Sequence, residues 1–288
     1  MKFSGSGSTL VFLGALFWSL NAPLVKFLNM DALLLCGLRS LIAGIALSIF
    51  IRPKRLKWNG WMLMYLISYA ALCLSIILAL NMTSAPVAIG MQYTATIWLF
   101  LVALIKTKHF DWHSFLPVCV ILIGVIFFMS SGSDSTSNTG NLIALFEGVF
   151  FACMTVGAKK AAGENALGLT AVGNLFTGIV IFLCFPSSLS KISVLSQQDW
   201  IIILTLGVVQ IGCGYAFYNL GVQRVSSQKA SIIALWEMIL GPVWVALFLK
   251  EYPSISVLVG FIIVLIGIFL DAVSHPVSKK SGVESIHE

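Results

Sequence analysis

Residues 254–273 have the sequence SISVLVGFIIVLIGIFLDAV, in which Asp271 is the only charged residue. A helix of about 20 apolar residues extends about 30 Å, which matches the hydrocarbon core of a bilayer. Inside lipid every backbone N–H and C=O must be satisfied within the protein, so only helices and closed barrels cross it. The run is continuous rather than alternating, which favours a helix over a barrel strand. This stretch therefore predicts a transmembrane helix.

Similar runs make up most of the chain. Hydrophobic residues account for 59% of the 288 residues and charged residues for 10%, with a mean hydropathy of +0.99. Soluble domains are roughly one-half apolar and one-quarter charged. Cutting the sequence at charges, prolines and Gly/Ser clusters leaves ten candidate spans, 9–28, 32–51, 61–81, 86–105, 114–130, 140–158, 166–185, 200–220, 229–249 and 254–273. The prediction is an all-α, multi-pass protein of the plasma or inner cell membrane with ten transmembrane helices.

The distribution of basic residues predicts the orientation. If the N-terminus is inside, thirteen of the 17 Lys and Arg residues fall in inside segments. Only Lys26, Lys191 and Lys250 fall outside, and Arg39 lies within a span. This bias follows the positive-inside rule, so both termini are expected to be cytoplasmic. The net charge of +6 is dispersed among short loops, so it is assigned to topology and not to nucleic-acid binding.

The two halves of the chain are related. A shift of 143 residues aligns ALNMTS at 79–84 with VQRVSS at 222–227, and LIGV at 122–125 with LIGI at 265–268. Because each half has five spans, the second half enters the membrane in the opposite sense, as in the inverted repeats of many secondary transporters. The predicted organisation is a first five-helix repeat at 1–130, an external Gly/Ser-rich linker at 131–139, a second repeat at 140–273 and a polar cytoplasmic tail at 274–288.

Short motifs in four spans carry a family resemblance. The first span contains LFWSLN at 16–21, and the second contains GLRSLIA at 37–43. The sequence ALNMTSA at 79–85 leads into span four, and WEM at 236–238 is followed by Lys250 and Glu251. These segments resemble the EamA-type, ten-helix branch of the drug/metabolite transporter superfamily, with Ser19 where Gly is usual and Met238 where Pro is usual. The resemblance implies secondary transport, frequently export of amino acids, drugs or other metabolites, driven by an ion or proton gradient or by exchange.

Three charges lie in the middle of spans, where each costs at least about 2.5 to 3.5 kcal/mol on insertion scales. Glu237 is near the centre of the ninth span, where desolvation disfavours the anion and suits the carboxyl to bind and release a proton. The alternative for Glu237 is a structural carboxyl bonded to a neighbouring helix. Glu147 is either a feature specific to this protein or the counter-ion of Arg39. Arg39 itself forms either a structural or gating pair or a contact with an anionic substrate group.

Neutral polar and aromatic side chains recur inside the spans. They would line a midplane cavity in which aromatic faces hold the substrate and amides orient it. For any single one, a helix-to-helix hydrogen bond or a place in the interfacial aromatic belt is the alternative. With the three charged residues, the predicted substrate and proton site includes Trp18, Asn21, Gln92, Tyr93, Gln210, Tyr215 and Trp236.

The sequence contains no P-loop, G-x-S-x-G, H-E-x-x-H or Cys/His metal spacing. It is therefore expected to be neither an enzyme nor a cofactor or metal protein. The predicted function is secondary active transport, in the direction of export, of a small metabolite or amino-acid-like compound by alternating access with proton coupling or exchange. The alternative is a membrane-embedded enzyme or lipid-handling protein that uses the buried carboxylates. The expected partners are a small-molecule substrate, membrane lipid and a proton or other coupling ion, and a homodimer is left open.

Overall fold

The computed structural model describes residues 6–28, 30–50, 56–130, 135–161, 165–225 and 227–274. Within these ranges the chain is helical and contains no strand. A 3₁₀ helix covers Pro186–Val194, and a π-helical segment covers Thr205–Cys213. The α-helices are α1 (Gly7–Ser19), α2 (Asn21–Leu28), α3 (Ala32–Phe50), α4 (Gly60–Met82), α5 (Ala85–Gln92), α6 (Ala95–Thr107), α7 (Trp112–Met129), α8 (Ser135–Ala161), α9 (Ala166–Cys184), α10 (Gln197–Leu204), α11 (Gly214–Val222), α12 (Ser227–Leu249) and α13 (Ile255–Ser274).

These helices form ten spans that are long and apolar enough to cross a membrane. Span 1 consists of α1 and α2, span 4 of α5 and α6, and span 8 of α10, the π-helical segment and α11. Each remaining span is a single helix. Every predicted span is present, with its ends within five residues of the prediction. The predicted all-α fold with ten transmembrane helices is confirmed.

Two helices extend across predicted boundaries of the repeats. Helix α8 begins at Ser135, inside the stretch 131–139 that was predicted to be a linker. Ser274, assigned to the tail at 274–288, is the last residue of α13. Residues 131–134 and 275–288 lie outside the described residues.

The two halves of the chain make equivalent helix-packing contacts. Span 2 packs on span 7, and span 5 packs on span 10. Span 3 packs on span 6 as span 1 packs on span 8, and span 4 packs on span 6 as span 9 packs on span 1. If each span is replaced by its counterpart in the other half, five spans away, the same pairs of packed spans are obtained. Because five is odd, the two repeats run through the bundle in opposite senses.

Span 1 is interrupted at Leu20, between α1 and α2. Pro23 has no N–H to donate to the carbonyl of Ser19, so the helical ladder cannot continue across this point. The N–H of Leu20 instead bonds to the carbonyl of Phe17, at 3.2 Å. The Ser19 hydroxyl accepts a hydrogen bond from Nε1 of Trp244 at 3.0 Å, which ties the joint to span 9. Span 1 is therefore divided into two helices at Leu20.

Span 4 has a similar joint between α5 and α6. The N–H groups of Tyr93 and Thr94 bond to the carbonyls of Gly90 and Met91, three residues earlier, at 3.1 and 3.0 Å. The Thr94 hydroxyl also donates to the Met91 carbonyl, at 2.7 Å. Gly148 of span 6 packs directly against Thr94, where any larger side chain would collide with the joint. The joints in spans 1 and 4 both lie at mid-span, beside the cavity described below.

Candidate functional site

A chamber of about 130 Å³ lies at mid-span between the two repeats. Spans 1, 2, 3, 4, 8 and 9 each contribute to its wall. Its lining residues are Trp18, Asn21, Arg39, Tyr69, Leu72, Cys73, Ile76, Gln92, Gln210, Ile211, Tyr215 and Glu237. The two helix joints bring Asn21 and Gln92 to this wall, and the π-helical segment carries Gln210. Such π segments are rare and often occur at functional sites.

Arg39 is the fixed positive charge of the chamber. Its side chain is only 3% exposed. Nη1 donates to Oδ1 of Asn21 at 2.6 Å, and Nη2 donates to the carbonyl of Cys73 at 3.3 Å. Nε has no hydrogen-bond partner, and no described acid forms an ion pair with the guanidinium. Arg39 is therefore held by neutral acceptors, which orient its charge without neutralising it.

Glu237 is the acidic residue of the chamber. It lines the chamber together with Tyr215, and it lines a second cavity together with Tyr93 and Tyr218. Among the described residues it has neither a hydrogen bond nor an ion pair. A carboxyl in a low-dielectric site without a fixed partner is able to exchange a cation for a proton.

Aromatic rings and further polar atoms complete the wall. The ring of Trp18 lies 4.9 Å from that of Tyr215 and 4.8 Å from that of Tyr218. Nε1 of Trp18 and Oε1 of Gln210 are buried without a hydrogen-bond partner. Buried polar groups are normally satisfied, so such exceptions mark groups that a bound molecule can satisfy. The chamber thus offers two free donors, Trp18 Nε1 and Arg39 Nε, and a free amide acceptor.

Two further cavities continue from the chamber towards one end of the bundle. The first, of about 370 Å³, shares Trp18, Gln92 and Glu237 with the chamber and extends to Asp271. The second, of about 510 Å³, shares Asp271 and Thr96 with the first and reaches the loop between spans 4 and 5. We call this series the inner path. It leads to the end of the bundle that the sequence predicts to be cytoplasmic.

Ion pairs connect the loops at the opposite end. Nζ of Lys26 lies 2.9 Å from a carboxylate oxygen of Glu251 and donates to the carbonyl of Thr83 at 3.0 Å. We call Lys26 and Glu251 the outer ion pair. A second pair joins Lys191 to Asp31, at 2.6 Å. Burial raises the pKa of Asp31, but the hydrogen bonds from Lys191 and from the N–H of Leu34 together lower it by more than burial raises it. The pKa of Asp31 is therefore below its usual value, and the carboxyl is ionised at neutral pH.

Most residues predicted for the site meet in the chamber. Its lining includes seven of the ten, Trp18, Asn21, Arg39, Gln92, Gln210, Tyr215 and Glu237. Tyr93 lines the first cavity of the inner path, where its ring lies 6.4 Å from that of Phe151. Trp236 is 45% exposed on the outside of the bundle and packs edge-on against Phe12. Successive residues of a helix point about 100° apart, so Trp236 and Glu237 cannot share a face.

Glu147 does not meet the other two charged residues. It is fully buried in span 6, and neither of its carboxyl oxygens has a hydrogen-bond partner. Arg39 is instead bonded to Asn21 and to the Cys73 carbonyl. Of the two alternatives given for Glu147, the ion pair with Arg39 is not present in the structure.

Sequence reasoning missed part of the wall that span 3 provides. Tyr69, Cys73 and Ile76 line the chamber, and their spacing of four and three residues places them on one helical face. The Tyr69 hydroxyl accepts a hydrogen bond from the amide of Asn174 at 2.7 Å. The spacing was visible in the sequence, but no charge or polar motif distinguished this face from ordinary packing. The ion pair between Lys26 and Glu251 was also missed, because the two residues are 225 positions apart in sequence.

Comparison with known proteins bears on the whole bundle. The model of the EamA-like transporter family matches the chain twice, at residues 5–130 and 138–271. The chain belongs to the EamA-like transporter family. This confirms the predicted family and, with the ten apolar spans, a multi-pass protein of the cell membrane. The two EamA-like copies correspond to the two sets of five spans, and both contribute to the chamber.

Two individual proteins resemble this EamA-like chain. An uncharacterized transporter from Archaeoglobus fulgidus is 21% identical over 196 residues, which cover 68% of this chain and 70% of the relative. A protein of known crystal structure superposes with a TM-score of 0.62 at 15% identity, covering 93% of this chain and 97% of the other. The second likeness supports the fold alone. The family and the first relative support a transporter role.

Proposed function

We propose that the protein is a secondary active transporter that exports a small zwitterionic, amino-acid-like metabolite by alternating access. The observation that carries this proposal is the presence of one unneutralised guanidinium and one unpaired carboxyl, Arg39 and Glu237, in a single aromatic-lined chamber between the repeats. Transporters with inverted repeats bind substrate at this interface, near the midplane.

The chamber's charges and size favour a small zwitterion. A substrate carboxylate would accept hydrogen bonds from Nε of Arg39 and Nε1 of Trp18, both of which are free donors. The substrate ammonium group would face Glu237 and the free amide oxygen of Gln210. At about 130 Å³, the chamber itself has room for the two charged groups of a small zwitterion, and the adjoining cavity of about 370 Å³ adds room for its side chain. A phosphate ester would need more positive charge than one arginine provides.

Glu237 supplies a means of coupling to protons. An ionised carboxylate binds the substrate ammonium group, whereas a protonated carboxyl does not attract it. Protonation of Glu237 therefore releases the cationic end of the substrate, and substrate binding favours loss of the proton. One proton would move inwards as one substrate moves outwards.

The two ends of the bundle differ in the way that the proposed export cycle requires. In the arrangement described above, the inner path joins the chamber to the predicted cytoplasmic end. The outer ion pair holds the loops together at the other end. Substrate would enter by the inner path, and separation of Lys26 from Glu251 would then accompany release on the outside. This exchange of accessible sides is the alternating access expected of two rocking repeats.

Counterflow in proteoliposomes tests the proposed substrate class. Vesicles preloaded with an unlabelled α-amino acid should accumulate the same labelled amino acid saturably. The matching amine without a carboxylate and the matching acid without an amino group should compete poorly, because each lacks one of the two charges. Competition by the amine alone at equal strength, or an absence of counterflow for every zwitterion tested, would contradict the proposal.

The outer ion pair provides a second test. Lys26→Met should increase labelling of Cys73, which lines the chamber, by a membrane-impermeant thiol reagent added from outside. Because the Glu251 carboxylate is half-exposed, the outer ion pair stabilises the closed outer end by about 1 kcal/mol at most. Loss of this stabilisation corresponds to about a fivefold increase in the labelling rate of Cys73. The assay needs a Cys184→Ala background, because Cys184 is exposed at the same end.

Two controls isolate the ion pair. Cys73→Ala should remove the additional signal, since Cys73 is the thiol being measured. The double variant Lys26→Glu with Glu251→Lys restores the attraction between the two positions and should return the labelling rate towards that of the parent. An unchanged rate in Lys26→Met would show that the pair does not hold the outer end closed.

A further inference from the structure

An apolar groove of about 410 Å³ lies on the outside of the bundle, between spans 3, 4 and 6. Its walls include exposed hydrophobic residues of α6, and its only charged lining residue is Lys106. Along α6 the groove runs from Trp98 to Lys106, which is about 12 Å at 1.5 Å per residue. One leaflet supplies about 15 Å of a hydrocarbon core about 30 Å thick. The groove therefore covers most of the depth of one leaflet.

Lysines collect at one end of this groove. Lys106 is part of its lining, and Nζ of Lys160 lies 5.9 Å from the ring centre of Trp61, which also lines it. The backbone N–H of Lys57 bonds to the carbonyl of Ala161 at 3.1 Å, so Lys57 lies at the same end. All three lysine side chains are exposed, and none is paired with an acid within the described residues.

We propose that this groove binds one acyl chain of an anionic glycerophospholipid, with the headgroup phosphate against Lys106 and Lys160. The apolar wall matches the chain, and the lysines lie where the headgroup of the same lipid would be. Trp61 lines the groove and also contacts Lys160, so it lies between the apolar wall and the lysines, as is typical of tryptophan at the membrane interface. Basic pockets between transmembrane helices are suited to anionic headgroups, and each lysine near such a surface contributes a factor of about five in affinity.

Charge also decides between a lipid and a second copy of the chain. A two-fold dimer would place this patch against itself, so the lysines of one copy would approach those of the other. An anionic lipid neutralises them instead. Helix α6 separates the groove from the inner path, and Leu99 borders both. Lipid binding here does not depend on the proposed transport cycle.

Native mass spectrometry of the purified full-length protein tests the site. Phosphatidylglycerol and phosphatidylcholine with identical acyl chains are titrated separately, and the affinity for the first bound lipid is measured. We expect phosphatidylglycerol to bind more tightly. The double variant Lys106→Gln with Lys160→Gln should lose about 25-fold in affinity for phosphatidylglycerol, with little change for phosphatidylcholine.

Two single variants separate the groove from general surface charge. Cys153→Phe fills the groove while all the lysines remain, so it should also lose the bound lipid. Lys108→Gln removes an exposed charge at the same end but outside the lining, so it should retain the lipid. Equal affinity for the two lipids, equal loss in Lys108→Gln, displacement of the lipid by inorganic phosphate alone, or full retention in Cys153→Phe would overturn the proposal. So would a dimer whose interface covers the groove and excludes lipid.

Discussion

Replacing Glu237 with glutamine is expected to abolish the response of substrate flux to a pH gradient. Glutamine keeps the size and the hydrogen-bonding atoms of the side chain but cannot bind or release a proton near neutral pH. One pH unit corresponds to about 1.4 kcal/mol for each proton moved, so the parent protein should show up to about a tenfold effect per unit. The measurement is substrate flux in proteoliposomes with and without an imposed gradient.

Glu147→Gln is the matched control for this experiment. Glu147 is also a buried carboxyl inside a span, but it lines neither the chamber nor the inner path. Flux through Glu147→Gln should therefore keep its response to pH. An unchanged response in Glu237→Gln would exclude Glu237 as the coupling residue, and loss of the response only in Glu147→Gln would assign coupling to that residue instead.

Replacing Arg39 with glutamine is expected to remove recognition of the substrate carboxylate. The loss of a buried, charged hydrogen-bonding partner costs about 2 to 5 kcal/mol in comparable interfaces, so KM for the zwitterion should rise by about 30-fold or more. Arg39→Lys should be intermediate, because it keeps the charge but loses the planar fork of donors. Initial rates of counterflow over a range of substrate concentrations measure both effects.

The amine that lacks a carboxylate serves as an internal control for Arg39. Because Arg39 also bonds to Asn21 and to the Cys73 carbonyl, its replacement removes two contacts within the protein. Weak interaction with the amine does not involve a substrate carboxylate, so it should survive in Arg39→Gln. Equal loss for the amine and the zwitterion would instead mean that Arg39 has a structural role.

The charged residues of the chamber were the part of the site most visible in the sequence. A charge within an apolar span is costly, so Arg39 and Glu237 stood out without any knowledge of their neighbours. The break in span 1 was visible in the same way, because Pro23 interrupts the helical ladder through its own missing N–H. Each of these properties depends on a single residue and its local environment, which a sequence reports directly.

Glu147 and Trp236 show where such reasoning fails. Glu147 has the same sequence signature as Glu237, a carboxyl inside an apolar run, yet it is enclosed between helices and does not reach the chamber. Trp236 is adjacent to Glu237 but faces outwards. Which face of a nearly uniformly apolar helix turns inwards depends on its neighbours, because the sequence pattern of such a helix distinguishes its faces only weakly.

Positions that correspond in the two halves also differ in their surroundings. Thr94 occupies the position that aligns with Glu237 at the shift of 143 residues, but it is buried against Gly148 and bonds to the Met91 carbonyl at the joint of span 4. Equivalent positions in the repeats thus have different surroundings and different uses.

The ten helices, the two repeats and the family could all be predicted from the sequence, as could the presence of charged residues inside the spans. Hydrophobicity, chain length and backbone hydrogen bonding in lipid are local requirements, and they leave few alternatives. Only the tertiary structure decided that Arg39 bonds to Asn21 and not to Glu147, that Lys26 meets Glu251 across the outer end, and that span 3 completes the chamber. These contacts join residues that are distant along the chain, so they depend on how the helices rotate and pack against one another.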